Sequence, residues 1–302
     1  MTHDRTLPGP ATAPRPAPAD GPRPAGGHRF AYGTNGLTGH RLPDALALLA
    51  ELGYEGVALT LDHAHLDPFA PGLAHRTARL GKRLADLGLA VVVETGARYL
   101  LDPRRKHAPT LLDENPAPRL DYLGRAVRVA ADLGAEAVSL WSGAAPPDLG
   151  ETTAWERLRE GCARVLDQAQ RHGVTLGFEP EPGMLVDTLE GYERLARLLG
   201  DPPAFGLTLD LGHCHCLEDA PVPDCVRRAA PRLVHVQIED MRRGVHEHLE
   251  FGAGGMDFPP VLRALDDCGY RGLVSVELPR HSHDGPAVAE RSLRFLRRAA
   301  AC

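Results

Sequence analysis

No apolar run in the 302 residues reaches the roughly 18 that a membrane span needs. The N-terminus also lacks the apolar core of a signal peptide. No membrane association is therefore expected, and a cytoplasmic setting is. A basic surplus is missing too: the net charge is −6, which argues against the broad basic face of a nucleic-acid binder. Cysteine is sparse. Cys162, Cys214, Cys216, Cys225, Cys268 and Cys302 lie mostly inside apolar segments, which reads as free thiols in a reducing compartment rather than a disulfide framework. What is present is ordinary for a globular chain: 43% hydrophobic residues, enough for a sizeable core, and 25% charged residues. The length allows two average domains or one large barrel.

Residues 1–26 are dominated by Pro, Ala and Gly and carry nothing that could pack, so they read as a disordered tail. From residue 27 to 302, short apolar runs alternate with helical periodicity. The predicted strands are Arg29 to Gly33, Gly56 to Leu61, Leu89 to Glu94, Ala137 to Trp141, Thr175 to Glu179, Gly206 to Asp210, Leu233 to Ile238 and Leu273 to Leu278. A helical segment follows each, and Leu-Gly pairs at 52–53, 87–88, 133–134 and 199–200 mark helix ends. Strict βα alternation over this length predicts an α/β fold, a single (β/α)8 TIM barrel. An open doubly wound sheet would show a Gly-rich phosphate turn after its first strand, and GTNGLTG is not a GxGxxG. Two connections, 95–117 and 239–256, are long and read as structureless loops over the C-terminal face, where barrel enzymes build their sites.

Four polar residues stand where apolar strands end: Glu179 in LGFEPEPG, Asp210 in LTLDLGH, Gln237 in VHVQIED and Glu277 in VSVELPR. A carboxylate ending a buried strand is costly unless paired, hydrogen-bonded or bound to a cation. One alone reads as a salt-bridged or solvated group beside a loop. Four on consecutive strands converge at the top of a barrel, where three carboxylates would repel one another and one divalent cation resolves the repulsion. Three carboxylates and an amide form an all-oxygen set that suits Mn²⁺ or Mg²⁺, although Co²⁺ or Zn²⁺ could occupy it.

The segments GFEPEPG, LTLDLGHCH, HVQIED and VSVELP resemble the sugar phosphate isomerase/epimerase superfamily of xylose-isomerase-like barrels, over roughly residues 28–300. In that superfamily Glu, Asp, His and Glu at these strand ends bind the metal, which the resemblance places on Glu179, Asp210, Gln237 and Glu277. Gln237 departs from the commonest pattern. Hydroxypyruvate isomerases of the superfamily are similar here in using Gln, so the chain is nearest them in ligand pattern. His213 and Arg243 match the substrate-binding His and Arg of ketose 3-epimerases. The resemblance implies proton transfer next to a carbonyl: the metal stabilises an enediolate, and Glu179 and Glu277 flank the substrate as an acid–base pair. Epimerisation and aldose–ketose isomerisation differ only in the carbon that is reprotonated, and the sequence leaves both open.

Around this set, His213 is open between substrate contact and support of the carboxylates. Arg243 is a candidate for a substrate hydroxyl, carboxylate or phosphate, or a solvated loop cation. His246 and His248 are weaker candidates of the same kind, and Lys106 and His107 are candidates to close over the substrate. Trp141 reads as a stacking surface for a sugar or a plug at the barrel mouth, and Glu181 has no fixed direction between two prolines. His213-Cys214-His215-Cys216 looks like a zinc cluster, but adjacent residues on a strand point to opposite faces. The expected partner is a small polyol or carbonyl substrate, and a homo-oligomer is left open. Three other functions remain as alternatives: a dehydratase or lyase on an inosose-like ring, a DNA-repair endonuclease with several zinc ions, and a non-catalytic sugar-binding barrel. One four-ligand set and an acidic chain count against the endonuclease, and intact Glu179 and Glu277 against the binding protein.

Overall fold

The computed structural model describes residues 27–302; the tail expected over residues 1–26 lies outside the described residues. The strands are β1 (Arg29–Gly33), β2 (Gly56–Thr60), β3 (Ala90–Glu94), β4 (Val138–Leu140), β5 (Leu176–Phe178), β6 (Phe205–Asp210), β7 (Leu233–Ile238), β8 (Asp240–Arg242), β9 (Val245–Leu249) and β10 (Leu273–Val276). All but β8 and β9 pair in parallel and close in the order β1-β10-β7-β6-β5-β4-β3-β2. The helices α1 (Leu42–Leu52), α2 (Leu73–Leu87), α3 (Ala117–Leu133), α4 (Glu151–Arg171), α5 (Leu189–Leu198), α6 (Leu211–Leu217), α7 (Val222–Ala229), α8 (Phe258–Asp267) and α9 (Gly285–Ala300) complete the (β/α)8 barrel. Helices α1 and α3 stop at Gly53 (φ 93°) and Gly134 (φ 61°), left-handed positions that cost glycine nothing.

The two-residue period of each strand sorts its side chains. Val91 and Val93 of β3, and Val274 and Val276 of β10, join the large core beneath the helices. Their neighbours point into the barrel, where Ala31, Ala90, Val92, Ala137 and Leu273 form a small apolar plug. The inward column becomes polar toward the C-terminal ends. In β10 it runs Leu273, Ser275 and then Glu277 just past the strand, and Ser275 shares a 2.9 Å hydrogen bond with buried His235 of β7. In β3, β7 and β10 the fold therefore gathers polar side chains toward the C-terminal end of the barrel.

The structure departs from strict alternation at two places. Residues 211–217, expected to be connecting chain, form α6, because the Asp210 carboxylate accepts the amide of His213 at 2.7 Å and caps the helix. The His-Cys-His-Cys run is thus helical rather than extended, and its side chains splay around an axis. The connection 239–256, expected to be structureless, carries the β8–β9 hairpin, which turns at Gly244 (φ 72°) with Arg242 opposite Val245. Beyond it, Asp240 accepts the amides of Gly252, Gly254 and Met256 at 2.8, 2.9 and 3.1 Å and fixes the return to α8.

The other long connection, 95–117, is clamped from α3. Buried Arg119 donates to the carbonyls of Thr95 (3.1 Å), His107 (2.6 Å) and Pro109 (2.9 Å), and its guanidinium carbon lies 4.6 Å from the centre of the Trp141 ring. Burial holds its pKa down to about 10. Among the described residues, no helix is long and apolar enough to cross a membrane. Replacing Arg119 with Met keeps the bulk but strands three carbonyls. The expected loss is on the order of 3 kcal/mol in urea denaturation, with faster proteolysis inside 95–117. An unchanged midpoint and cutting rate would show that the clamp is not needed.

Candidate functional site

A cavity of about 510 Å³ opens at the C-terminal ends of the strands. Glu94, Glu179, Gln237 and Glu277 project into it from β3, β5, β7 and β10 or the residue just beyond. His213, His246 and His248 line a second side, from α6 and β9, while Arg98, Lys106 and Arg280 stand among its lining residues from the loops. Asp210, only 2% exposed, ends β6 and belongs to a smaller adjoining pocket that it shares with His213.

The backbone positions these groups directly. The Glu179 amide donates to Leu140 O at 2.8 Å, continuing the β4–β5 ladder by one residue, and Ser139 Oγ donates to Glu179 Oε2 at 3.4 Å. Asp210 pairs with Gln237 in the sheet register, and Gln237 in turn with Ser275. Glu277 accepts from Asn35 Nδ2 on one oxygen and from Gln237 Nε2 on the other, each at 2.9 Å. Among the four strand-end residues, Gln237 Oε1 and Asp210 Oδ2 are buried without a hydrogen-bond partner, as are Glu94 Oε1, Asn35 Oδ1 and both Glu239 oxygens. An amide oxygen and an ionised carboxylate oxygen only accept, so burying them unpaired is costly unless a cation or donor sits between them. The residues present therefore fit a divalent ion.

Charge in the site is lopsided. Burial raises the pKa of Glu94, Glu179, Glu277 and Glu239, and neighbouring acids add to the effect, chiefly Glu277 for Glu94 and Glu179, and Asp210 for Glu239 and Glu277. Burial and Glu277 push Glu181 up to about 8. Asp210 is the exception: burial works against its charge, but His213, His248 and the capping amide outweigh it and hold its pKa below the usual value. His213 is driven down to about 4 by burial and is neutral at physiological pH.

Among the other sequence candidates, Trp141 lines the cavity with its ring 5.2 Å from that of His107 and the Arg119 clamp behind it. His246 faces His213, with the two Nε2 atoms 3.1 Å apart. Arg243 is not brought to this site. Its guanidinium turns outward at the hairpin tip, donates to the carbonyls of His215 and Glu218, and lies 3.6 Å from Asp219. Of the His-Cys-His-Cys run, only His213 lines the cavity; Cys214 and Cys216 are buried elsewhere. The sequence reading missed Glu94, Asn35 and Thr60 as cavity residues. Glu94 carried a signal: it ends the apolar run LAVVVE as the other acids end theirs. Its Oε1 lies 3.4 Å from Nδ1 of buried His235. Three groups of side chains bring ligand atoms within 4.8 Å of one another: Glu179, Asp210 and His213; Asp210, His248 and Glu277; and His213, His246 and His248. Asp210, His213 and His248 each belong to two of them.

Comparison with known proteins gives a consistent picture. The rhizopine catabolism protein of Rhizobium meliloti is 34% identical over 149 residues, 43% of this chain and 45% of that protein, so the match spans under half of its length. An L-ribulose-5-phosphate 3-epimerase of Shigella flexneri serotype 5b is 26% identical over 81% of this chain and 84% of its own. The apo structure of a 3-keto-D-glucoside 4-epimerase from E. coli superposes with a TM-score of 0.73 at 17% identity, covering 90% of this chain and 99% of that one, a likeness of fold. The profile of the family described as xylose isomerase-like TIM barrel matches residues 46–299, and with the closed barrel and its acid-ended strands this shows that the chain belongs to that family.

Proposed function

We propose that the protein is a divalent-metal-dependent isomerase or epimerase of a small sugar, sugar acid or cyclitol carbonyl compound. The observation that carries the reading is that Glu179, Gln237 and Glu277 line one cavity, with Asp210 in the adjoining pocket, and that Gln237 Oε1 and Asp210 Oδ2 are buried without a hydrogen-bond partner. The named activities of relatives that match four-fifths of the chain support it. Six free cysteines fit a cytoplasmic setting.

Glu179, Asp210, Gln237 and Glu277 would hold the ion, and Mn²⁺ or Mg²⁺ suits their oxygens best. When bound, the ion supplies Lewis acidity to a substrate carbonyl and its neighbouring hydroxyl. The proton chemistry falls to Glu179 and Glu277. They stand on strands separated by β6 and β7, so they meet the substrate from two sides. One removes the proton on the carbon beside the carbonyl, and the other returns a proton to the same carbon or its neighbour. Asn35 and Gln237 fix the orientation of the Glu277 carboxylate by binding both its oxygens. Trp141 and His107 close one side of the cavity and limit water there.

A second reading is loss of water from the same enediolate, and the position of Glu94 and Glu181 favours it. They give the cavity two further acids, either of which could protonate a departing hydroxyl. NMR of a substrate panel in D₂O with Mn²⁺ separates the two. Deuterium incorporated at a substrate C–H without dehydrated product supports the isomerase, and a dehydrated product supports the lyase.

The Glu277→Gln variant is expected to keep the fold while exchange of the substrate C–H with solvent falls by roughly 10²-fold or more. Exchange near the wild-type rate would remove Glu277 from the acid–base pair. The Gln237→His variant is expected to retain a bound divalent ion with a shifted preference toward Zn²⁺. Failure to bind any ion, measured by elemental analysis of the purified variant, would contradict the assigned ligand.

A further inference from the structure

The proposed ion and acid–base pair occupy the wall formed by β5, β6, β7 and β10. The opposite wall is β2 and β3, separated from β10 by β1 and from β5 by β4 in the closed order. Thr60 and Glu94 end these two strands, pair directly in the sheet register, and both line the cavity. They are 4% and 8% exposed, yet Thr60 Oγ1 and Glu94 Oε1 have no hydrogen-bond partner. Asn35 Oδ1, just past β1, is a third such atom, so an arc of unpartnered oxygens runs from the neighbour of Glu277 round to Glu94.

The local structure fixes this wall. The Thr60 amide donates to Thr34 Oγ1 at 3.0 Å and anchors the end of β2. Beneath Glu94, the fully buried His235 ring bridges toward Ser275: Nε2 lies 2.9 Å from Ser275 Oγ, and Nδ1 lies 3.4 Å from Glu94 Oε1. That second contact steadies the carboxyl from below without completing a hydrogen bond, since both atoms remain unpartnered. There is room beside it: a Cβ at Gly96, another lining residue, would meet no atom within 4 Å.

A hydroxyl donates one hydrogen bond and accepts others, and so complements both a threonine hydroxyl and a carboxyl oxygen. Neighbouring strands stand about 4.8 Å apart, so side chains at paired positions can reach adjacent hydroxyls on one carbon chain or ring. An apolar group placed there would leave both buried atoms unpaired, at a cost. We propose that Thr60 and Glu94 form a subsite for two neighbouring hydroxyls of the substrate, on the end away from the reacting carbonyl. The orientation rests on the isomerase reading, which puts the carbonyl and its neighbouring hydroxyl against the opposite wall. Those two carbons and the two in the subsite make at least four. The substrate is then a longer sugar or a cyclitol rather than a three-carbon keto acid, even though Gln237 matches the hydroxypyruvate isomerases.

The test uses the full chain loaded with Mg²⁺. It is titrated by calorimetry with D-fructose, L-ribulose, scyllo-inosose and hydroxypyruvate, and each mixture is followed in D₂O by NMR for exchange of C–H. At least one of the three polyols is expected to bind more tightly than hydroxypyruvate. Thr60→Val and Glu94→Leu are each expected to weaken that binding about tenfold. Glu94→Gln, which keeps an acceptor and gains a donor, is expected to weaken it less than Glu94→Leu. Thr60→Val carries the comparison if Glu94→Leu misfolds. Polyol binding that the variants leave unchanged, with exchange intact in wild type, overturns the subsite and leaves the isomerase reading standing. Binding that depends on Thr60 and Glu94 without any exchange supports the subsite and counts against the isomerase reading. Tighter binding of hydroxypyruvate, or no binding of any polyol, overturns the proposal.

Discussion

One oxygen of Asp210 accepts the His213 amide and starts α6; the other is buried without a partner at the edge of the cavity. The same carboxylate thus builds local structure and holds an unsatisfied charge. Because Oδ1 is committed to the cap, the direction of Oδ2 is set by the backbone rather than by a free rotamer. The cap also carries His213 into position, since α6 begins where β6 ends. Much of the site follows from this: His213 reaches back to Pro180, the residue after Glu179, and so ties the ends of β5 and β6 together. Around Asp210, burial and mutual repulsion raise the proton affinity of the neighbouring glutamates, and His213, His248, the capping amide and the Glu239 side chain together keep it acidic.

The barrel was legible because its strands are buried on both faces and its helices are long, so apolar runs and helical periodicity alternate clearly. The ends of β5, β6, β7 and β10 were legible for a related reason, since a carboxylate or amide closing an apolar run is a local anomaly. Glu94 closes LAVVVE in the same way, but on the third strand, outside the run of four consecutive strand ends. Helix α6 has seven residues, too few for periodicity to register, and forms through one cap rather than an amphipathic face. The β8–β9 hairpin is half-exposed and rich in charge, without the apolar alternation that announces a strand.

Arg243 shows the limit of matching positions. Its place in the sequence fits a substrate-binding arginine, but carbonyls of His215 and Glu218 attract the guanidinium to the far side of the hairpin. A residue type at the right spacing fixes where the backbone goes, and the hydrogen-bond acceptors around it decide where a long side chain ends. Arg119 makes the converse point. Nothing in a helix-like segment marks one arginine as buried, yet it gathers three carbonyls of the 95–117 connection and supports Trp141 from behind.

The inward column of β10 reads Leu273, Ser275, Glu277, changing from hydrocarbon to hydroxyl to acid within five residues. His235 repeats the middle step on β7, and Glu94 the last on β3. The barrel interior therefore grades from a hydrocarbon layer to a wettable brim, with the Arg29–Glu136 ion pair beyond that layer at the other end. Depth along the axis then sets the currency of any inherited change: near the base it is felt as melting temperature, and at the brim as turnover. A lineage could remake the brim for a new substrate while the base keeps the chain folded.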